Sequence, residues 1–239
     1  MKNICVSFLL LSCLLLMNSC DKENPKINIT FNHLINNVAL DFDTDYQLGE
    51  NNTLVNLDIA QFYIHNIRLS RTDGGEELFN EYYLINSTNN TISLSDVEEG
   101  EYTAIKFDVG VDSTNNYLDP STLEASNPLA VQLPAMHWSW TAGYKFLRVD
   151  GSYDSDGDNM ISDTDTTFLL HIGLEEYVRE ATISYPFDAT AGAVNDLTIK
   201  VDYAQLFDYN IEEKVEVRTG MANDFHNSIV NKVPAIFSK

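Results

Sequence analysis

Both tryptophans of the chain stand in one short segment, Met136-His137-Trp138-Ser139-Trp140, beside one of its five histidines. Imidazole nitrogen suits copper and zinc, and a thioether such as that of Met136 favours Cu(I). If the segment is extended, Trp138 and Trp140 share one face of a strand, and His137 and Ser139 share the other. The indoles then either fill the core or wall a site. A second candidate ligand, His171, lies in Thr167 to Ile172, which reads as a strand. That strand is expected to fold back on Tyr144 to Val149 as a hairpin closed by residues 151–165. A turn at Thr141-Ala142-Gly143 then brings His171 towards the tryptophan segment. His33, His65 and His226 show no partner in the sequence and read as surface or structural residues.

The hairpin loop carries a separate chemistry. Asp154, Asp156 and Asp158 fall at positions one, three and five of a twelve-residue calcium loop. Met160 supplies the carbonyl at seven, Ile161 is the apolar eighth residue, and Asp165 stands at twelve. Asn159 takes the place of the usual glycine at six, where its tolerance of left-handed geometry helps. The flanks read as strands rather than helices. The loop is therefore an EF-hand-like clip for a structural calcium ion, or a solvated acidic hairpin tip, and not an EF-hand domain.

Catalysis has little support. There is no Gly-x-Ser-x-Gly elbow, no His-Glu-x-x-His and no phosphate-cradling glycine loop. Among 36 acidic residues some carboxylate pair is always available, and spacing singles none out. The chain is expected not to be an enzyme.

The N-terminus reads as a targeting device. Lys2 precedes an almost continuous apolar run, Ile4 to Met17, too short for a comfortable membrane span but suited to a signal peptide. Asn18-Ser19-Cys20 follows and resembles a bacterial lipobox, so residues 1–19 are expected to be removed and Cys20 to carry the lipid. Residues 20–26 form a polar tether, and 27–239 form one β domain. Cys5 and Cys13 leave with the signal peptide, so no thiol remains in the folded part for a disulfide, a thiolate metal site or a nucleophile. The formal charge of the chain is −22, and loss of Lys2 makes it one unit more negative. Such a domain repels nucleic acid. The expected location is the bacterial cell envelope, lipid-anchored to the outer membrane and facing the periplasm or the cell surface.

The segments that must position these groups are short extended runs separated by turns. Lys26 to Phe31 alternates polar and apolar residues, as does Val38 to Phe42. Gln61 to Leu69 breaks strict parity and suggests a bulge. Glu81 to Ile85, Thr91 to Leu94, Glu101 to Val111, Ala181 to Tyr185 and Leu197 to Tyr203 complete the set. Helical periodicity is confined to Pro120 to Ala125 and Met221 to Val230. The pattern predicts an all-β, antiparallel sandwich or barrel-like domain with long loops and one or two short helices.

Four segments, in order and at characteristic spacing, resemble the MbnP-like family of methanobactin-associated, copper-binding periplasmic proteins. They are Tyr63-Ile-His-Asn-Ile-Arg-Leu69, Gly100 to Asp112, Met136 to Trp140 with Gly143-Tyr144, and His171-Ile-Gly173. The resemblance spans roughly Ile27 to Tyr203. It implies a β-rich envelope protein whose copper is held by two histidines and a tryptophan oxidised to kynurenine. His171 matches a ligand histidine, Trp138 or Trp140 matches the oxidisable residue, and His137 is the nearest substitute for the second histidine. In the copper members a histidine lies two residues beyond the modified tryptophan. Here Trp140 and Ala142 occupy those places, so no kynurenine is expected.

Two functions follow. One is an envelope lipoprotein that binds and handles metal, copper being the ion the resemblance implies. The other is a non-catalytic β-domain lipoprotein that binds a protein, glycan or other ligand, with calcium as a structural ion. In either case the lipid on Cys20 is the only membrane anchor the sequence offers. Cys20→Ser is therefore expected to release the protein from membranes. Sedimentation of that variant with membranes after a high-salt wash would contradict the lipoprotein reading.

Overall fold

The computed structural model describes residues 23–139, 142–218 and 223–239. Cys20, the signal peptide and Trp140 lie outside these residues. In chain order the strands are β1 (Lys26–Ile35), β2 (Val38–Ala39), β3 (Asp45–Leu48), β4 (Thr53–Arg71), β5 (Glu76–Phe79), β6 (Tyr83–Ile85), β7 (Thr91–Leu94) and β8 (Gly100–Val109). They continue with β9 (His137–Ser139), β10 (Gly143–Tyr153), β11 (Thr166–Gly173), β12 (Arg179–Ala189), β13 (Val194–Asp202), β14 (Glu216–Arg218) and β15 (Phe237–Ser238). One α-helix is described, α1 (Asp224–Val230), where Asn223 caps the first turn by accepting from the His226 amide. Proline-led Pro120–Thr122 is a single 3-10 turn.

The strands form an all-β sandwich. A smaller sheet runs β15-β13-β1-β2, with β7 also on β1. A larger sheet runs β12-β8-β4-β10-β11-β14, with β3, β5 and β6 on β4 and β9 on β10. Most pairings are antiparallel, as the alternation predicts. Two are parallel: β1 with β13 and β11 with β14. Both join segments distant in sequence, a relation that alternation within a strand does not encode.

Strand β4 organises the larger sheet. It spans 19 residues, roughly 60 Å of chain at about 3.3 Å per residue. It therefore pairs with different partners along its length. Its register slips between His65 and Arg68, where Asn66 takes a positive φ of 48°, which confirms the expected bulge. It slips again against β10: Ile59 faces Asp150 while Leu57 faces Gly151, leaving Asp58 as an extra residue.

The two faces of the larger sheet differ. Phe62, Ile64, Leu147, Val149, Leu170 and Ile172 point inward to the core shared with the smaller sheet. There Phe31 of β1 meets Phe62 and Phe107 edge-to-face, with ring centroids 5.9 and 5.7 Å apart. Phe237 packs on the same two rings. Truncating one such buried ring to alanine typically costs about 3–5 kcal/mol. The opposite face carries Tyr63, Tyr144 and Phe146, which bury against Val111, Leu129 and Met136 in a second, smaller core. The stretch between β8 and β9 is thus a cover laid over the outer face of the sheet. Tyr63 and Tyr144 anchor it by donating hydroxyl hydrogen bonds to the carbonyls of Pro128 (3.1 Å) and Leu129 (2.6 Å).

Candidate functional site

Strand β9 at the end of this cover presents the tryptophan segment. It pairs with the start of β10, Ser139 against Gly143 and His137 against Tyr144. Gly143 has φ +75°, and a Cβ there would lie 2.5 Å from the Asn116 amide oxygen. Asn116 is buried and accepts from the Tyr144 amide at 2.9 Å. The turn thus requires glycine for both its backbone angle and this close approach.

Because successive residues of a strand point to opposite sides, His137 and Trp138 diverge. Trp138 lies over β11. Its ring is 6.3 Å from that of His171, tilted by 50°. It also covers Gly173, where a Cβ would stand 2.4 Å from the indole Cζ3. His137 turns instead onto Tyr144, ring to ring at 4.7 Å, and its Nε2 is buried with no hydrogen-bond partner. It lines a small cavity with Asp119, Met136 and Tyr144. Of the candidate metal residues, the structure brings Trp138 and His171 together and directs His137 elsewhere. Met136 is buried in the outer core.

The hairpin of β10 and β11 forms as the sequence predicts, with Arg148 opposite His171. That register places Asp150, on the same face as Arg148, within reach of both. Asp150 Oδ1 lies 2.6 Å from His171 Nε2, and Asp150 Oδ2 accepts from Arg148 Nε at 2.7 Å and Nη2 at 2.6 Å. Burial opposes the charged form of Asp150, but hydrogen bonds from His171 and Arg148 outweigh it and hold the carboxyl below its ordinary pKa. For His171 burial wins over the Asp150 contact, and the pKa is lowered. The pair is therefore a neutral imidazole donating Nε2–H to a carboxylate, rather than two opposite charges. That tautomer puts the imidazole lone pair on Nδ1.

Arg148 has a second role. Its Nη1 and the Lys145 ammonium both donate to the Ala135 carbonyl, each at 2.8 Å, which ties the cover to β10 just ahead of β9. Burial, and then the Arg148 charge, lower the Lys145 pKa to about 8. Asp150, Arg148 and Lys145 were not singled out by the sequence. The available signal was the polar alternation Arg148-Val149-Asp150 in a hairpin with His171.

The acidic loop joins β10 to β11. Among the described residues, Asp154, Asp156 and Asp158 are the one group of three or more acidic, histidine or cysteine ligands that converges. Each offers an oxygen, and all lie within 4.8 Å of one another. Asp154 accepts from the Gly157 amide at 2.7 Å and the Asn159 amide at 2.9 Å. Asn159 has φ 64°, the left-handed geometry expected at position six. Asp165 is held away: its two oxygens accept from the Ser155 and Ser162 amides, both at 2.8 Å. The Met160 side chain is exposed.

The remaining histidines separate. His33 is buried against the Tyr203 hydroxyl at 2.7 Å, and burial lowers its pKa to about 4. His65 is buried and stacks on Tyr82 at 4.9 Å. His226 sits in α1 with its ring near the Asn223 side chain.

The model of the MbnP family matches residues 24–227. The chain belongs to the MbnP family. The solved structure of MbnP from Methylosinus trichosporium shares the fold with a TM-score of 0.54 and 16% identity, over 76% of this chain and 77% of that one. Comparison with curated protein sequences finds no significant match.

Proposed function

We propose that this MbnP-family protein is a non-catalytic lipoprotein of the bacterial envelope that holds copper at His171 beside Trp138. The observation that carries the reading is the contact between the Trp138 and His171 rings over a buried carboxylate. A carboxylate that accepts from one imidazole nitrogen fixes the ring and raises its basicity, the usual arrangement behind a metal-binding histidine. The two rings come from the segments that carry the family resemblance. His137 faces the Tyr144 side of its strand, so its share in the site is secondary. Trp140 lies beyond the described residues. The protein repels nucleic acid through its charge, and its membrane contact is the lipid on Cys20. Copper analysis of the purified protein by mass spectrometry of the metal tests the reading. His171→Ala is expected to lose most bound copper while staying folded, with a lowered melting temperature because the buried Asp150 carboxylate loses a partner, while His137→Ala loses less copper. Equal copper in His171→Ala and the parent would contradict it.

The acidic hairpin supports a second ion, a structural calcium held by Asp154, Asp156 and Asp158, with the Met160 carbonyl on one edge. Without a cation the three converging carboxylates repel one another. Asp165 joins only if its serine hydrogen bonds exchange for the ion. An ion that binds only the folded loop stabilises the fold by about 2.7 kcal/mol at a hundredfold excess over its dissociation constant. Calcium is thus expected to raise the melting temperature, magnesium to do so less, and Asp156→Asn with Asp158→Asn to abolish the difference. An unchanged melting temperature between millimolar calcium and chelator would remove calcium from the account.

A further inference from the structure

Among the described residues two tyrosines donate a hydroxyl hydrogen bond to a carboxylate, Tyr82 to Asp112 and Tyr102 to Glu77. They differ in what surrounds the ring. The Arg71 guanidinium stands 5.2 Å from the Tyr102 ring centroid and also donates to its hydroxyl. A positive charge there opposes loss of an electron from the ring. Among the described residues no cation stands over Tyr82. Its ring stacks instead on buried His65, with centroids 4.9 Å apart and planes 15° from parallel. Burial lowers the His65 pKa and keeps that imidazole neutral.

The phenol and its carboxylate are held from both sides. Asp112 Oδ1 accepts from the Thr114 amide at 2.8 Å and the Asn115 amide at 3.1 Å, which directs Oδ2 to the Tyr82 hydroxyl. The Asn115 side chain donates to the Tyr82 oxygen at 3.3 Å. Burial opposes the charge on Asp112, but hydrogen bonds from Tyr82 and Asn115 outweigh it and hold the carboxyl below its ordinary pKa. Burial, and then the bond to Asp112, push the Tyr82 phenol above its ordinary value of about 10. At neutral pH the phenol keeps its proton and faces an ionised base. Loss of an electron reverses that preference. A phenol radical cation is a strong acid, and a carboxylate within hydrogen-bond reach takes its proton directly.

Asp112 and His65 also line a cleft of about 520 Å³, together with Asp108, Glu175 and Glu176. No lysine or arginine lines it. Such a surface draws cations and repels anions. Tyr82 packs in turn against the second core, where the Tyr63 and Tyr144 rings stand 5.7 Å apart and that of His137 lies 4.7 Å from Tyr144. Aromatic groups thus run beneath the cover from β9 to Tyr82.

We propose that Tyr82 is a redox-active tyrosine that gives one electron to a cationic one-electron oxidant at this cleft. The electron leaves the ring and the phenolic proton passes to Asp112. The products are a neutral tyrosyl radical, a neutral Asp112 carboxyl and the oxidant reduced by one electron. The step belongs to the pair itself and does not depend on copper.

The test uses the metal-free, full-length protein in detergent. Ruthenium(II) tris(bipyridine), a dication, is the photosensitiser, and a cobalt(III) ammine accepts the electron of its excited state. The Ru(III) so formed is the oxidant, and freeze-quenched samples are read by electron paramagnetic resonance. The parent is expected to give a tyrosyl radical signal. Tyr82→Phe is expected to lose most of it. Asp112→Asn is expected to lose most of it although the tyrosine remains, and Tyr102→Phe to keep it in full. No radical in the parent, a signal in Tyr82→Phe as strong as the parent's, or an undiminished signal in Asp112→Asn would each overturn the proposal.

Discussion

The outer face of the larger sheet depends on one buried carboxylate. Asp150 accepts from His171 on the neighbouring strand and from Arg148 two residues away on its own. Removing one partner of a buried charged pair leaves the other uncompensated, a change that typically costs about 3–5 kcal/mol. Here the consequences spread. With Asp150 in place, Arg148 is neutralised and can share the Ala135 carbonyl with Lys145. That shared carbonyl fixes the chain immediately before β9, and β9 sets Trp138 over Gly173 and beside His171. Tautomer, clamp and indole position follow from a single side chain.

The sheet therefore does two jobs with its two faces. The inward residues of β4, β10 and β11 build the sandwich core through plain alternation. The outward residues carry polar groups that only a second layer can exclude from water, and the segment between β8 and β9 supplies that layer. Its tyrosine anchors, the Asn116–Tyr144 amide bond and the Ala135 clamp hold it down with hydrogen bonds, beside the apolar contacts of the second core. The metal reading belongs to this covered face. The acidic loop belongs to the same hairpin that carries Asp150 and His171, so an ion bound there would stiffen the strands beneath the site.

Much of this was legible in the sequence where the signal is local. Thr91 to Leu94 is a strand with the expected bounds, Lys26 to Phe31 and Thr167 to Ile172 lie within longer ones, and the hairpin closed by the acidic loop forms. His171 and Trp138 meet because the motif that resembles the family places them on two strands that both pair with β10. Asn159 takes the left-handed turn that its side chain tolerates. What stayed hidden is non-local. Short edge strands such as Glu76–Phe79 and Glu216–Arg218 owe their form to a neighbour rather than to their own pattern. Asp150 is one of 36 acidic residues and is distinguished only by what faces it. Asp58 is set apart only by a register slip between two strands. Val38 to Phe42 reads as a strand, but only Val38–Ala39 pairs, since the chain then turns through Asp41 to Thr44.

The account rests on a neutral His171 whose Nε2–H is donated to Asp150. Long-range ¹⁵N–¹H correlation spectra of the imidazole side chains, recorded for the metal-free protein through a pH titration, read this directly. The account predicts that the His171 ring is neutral and protonated on Nε2 at pH 7, and that it gains a second proton only below the ordinary histidine value of about 6.5. Its signals should change tautomer, or its protonation should shift to still lower pH, when Asp150 is replaced by asparagine, because the carboxylate is what opposes the lowering by burial. An imidazolium at pH 7, or a ring protonated on Nδ1 alone, would contradict the arrangement from which the rest is derived.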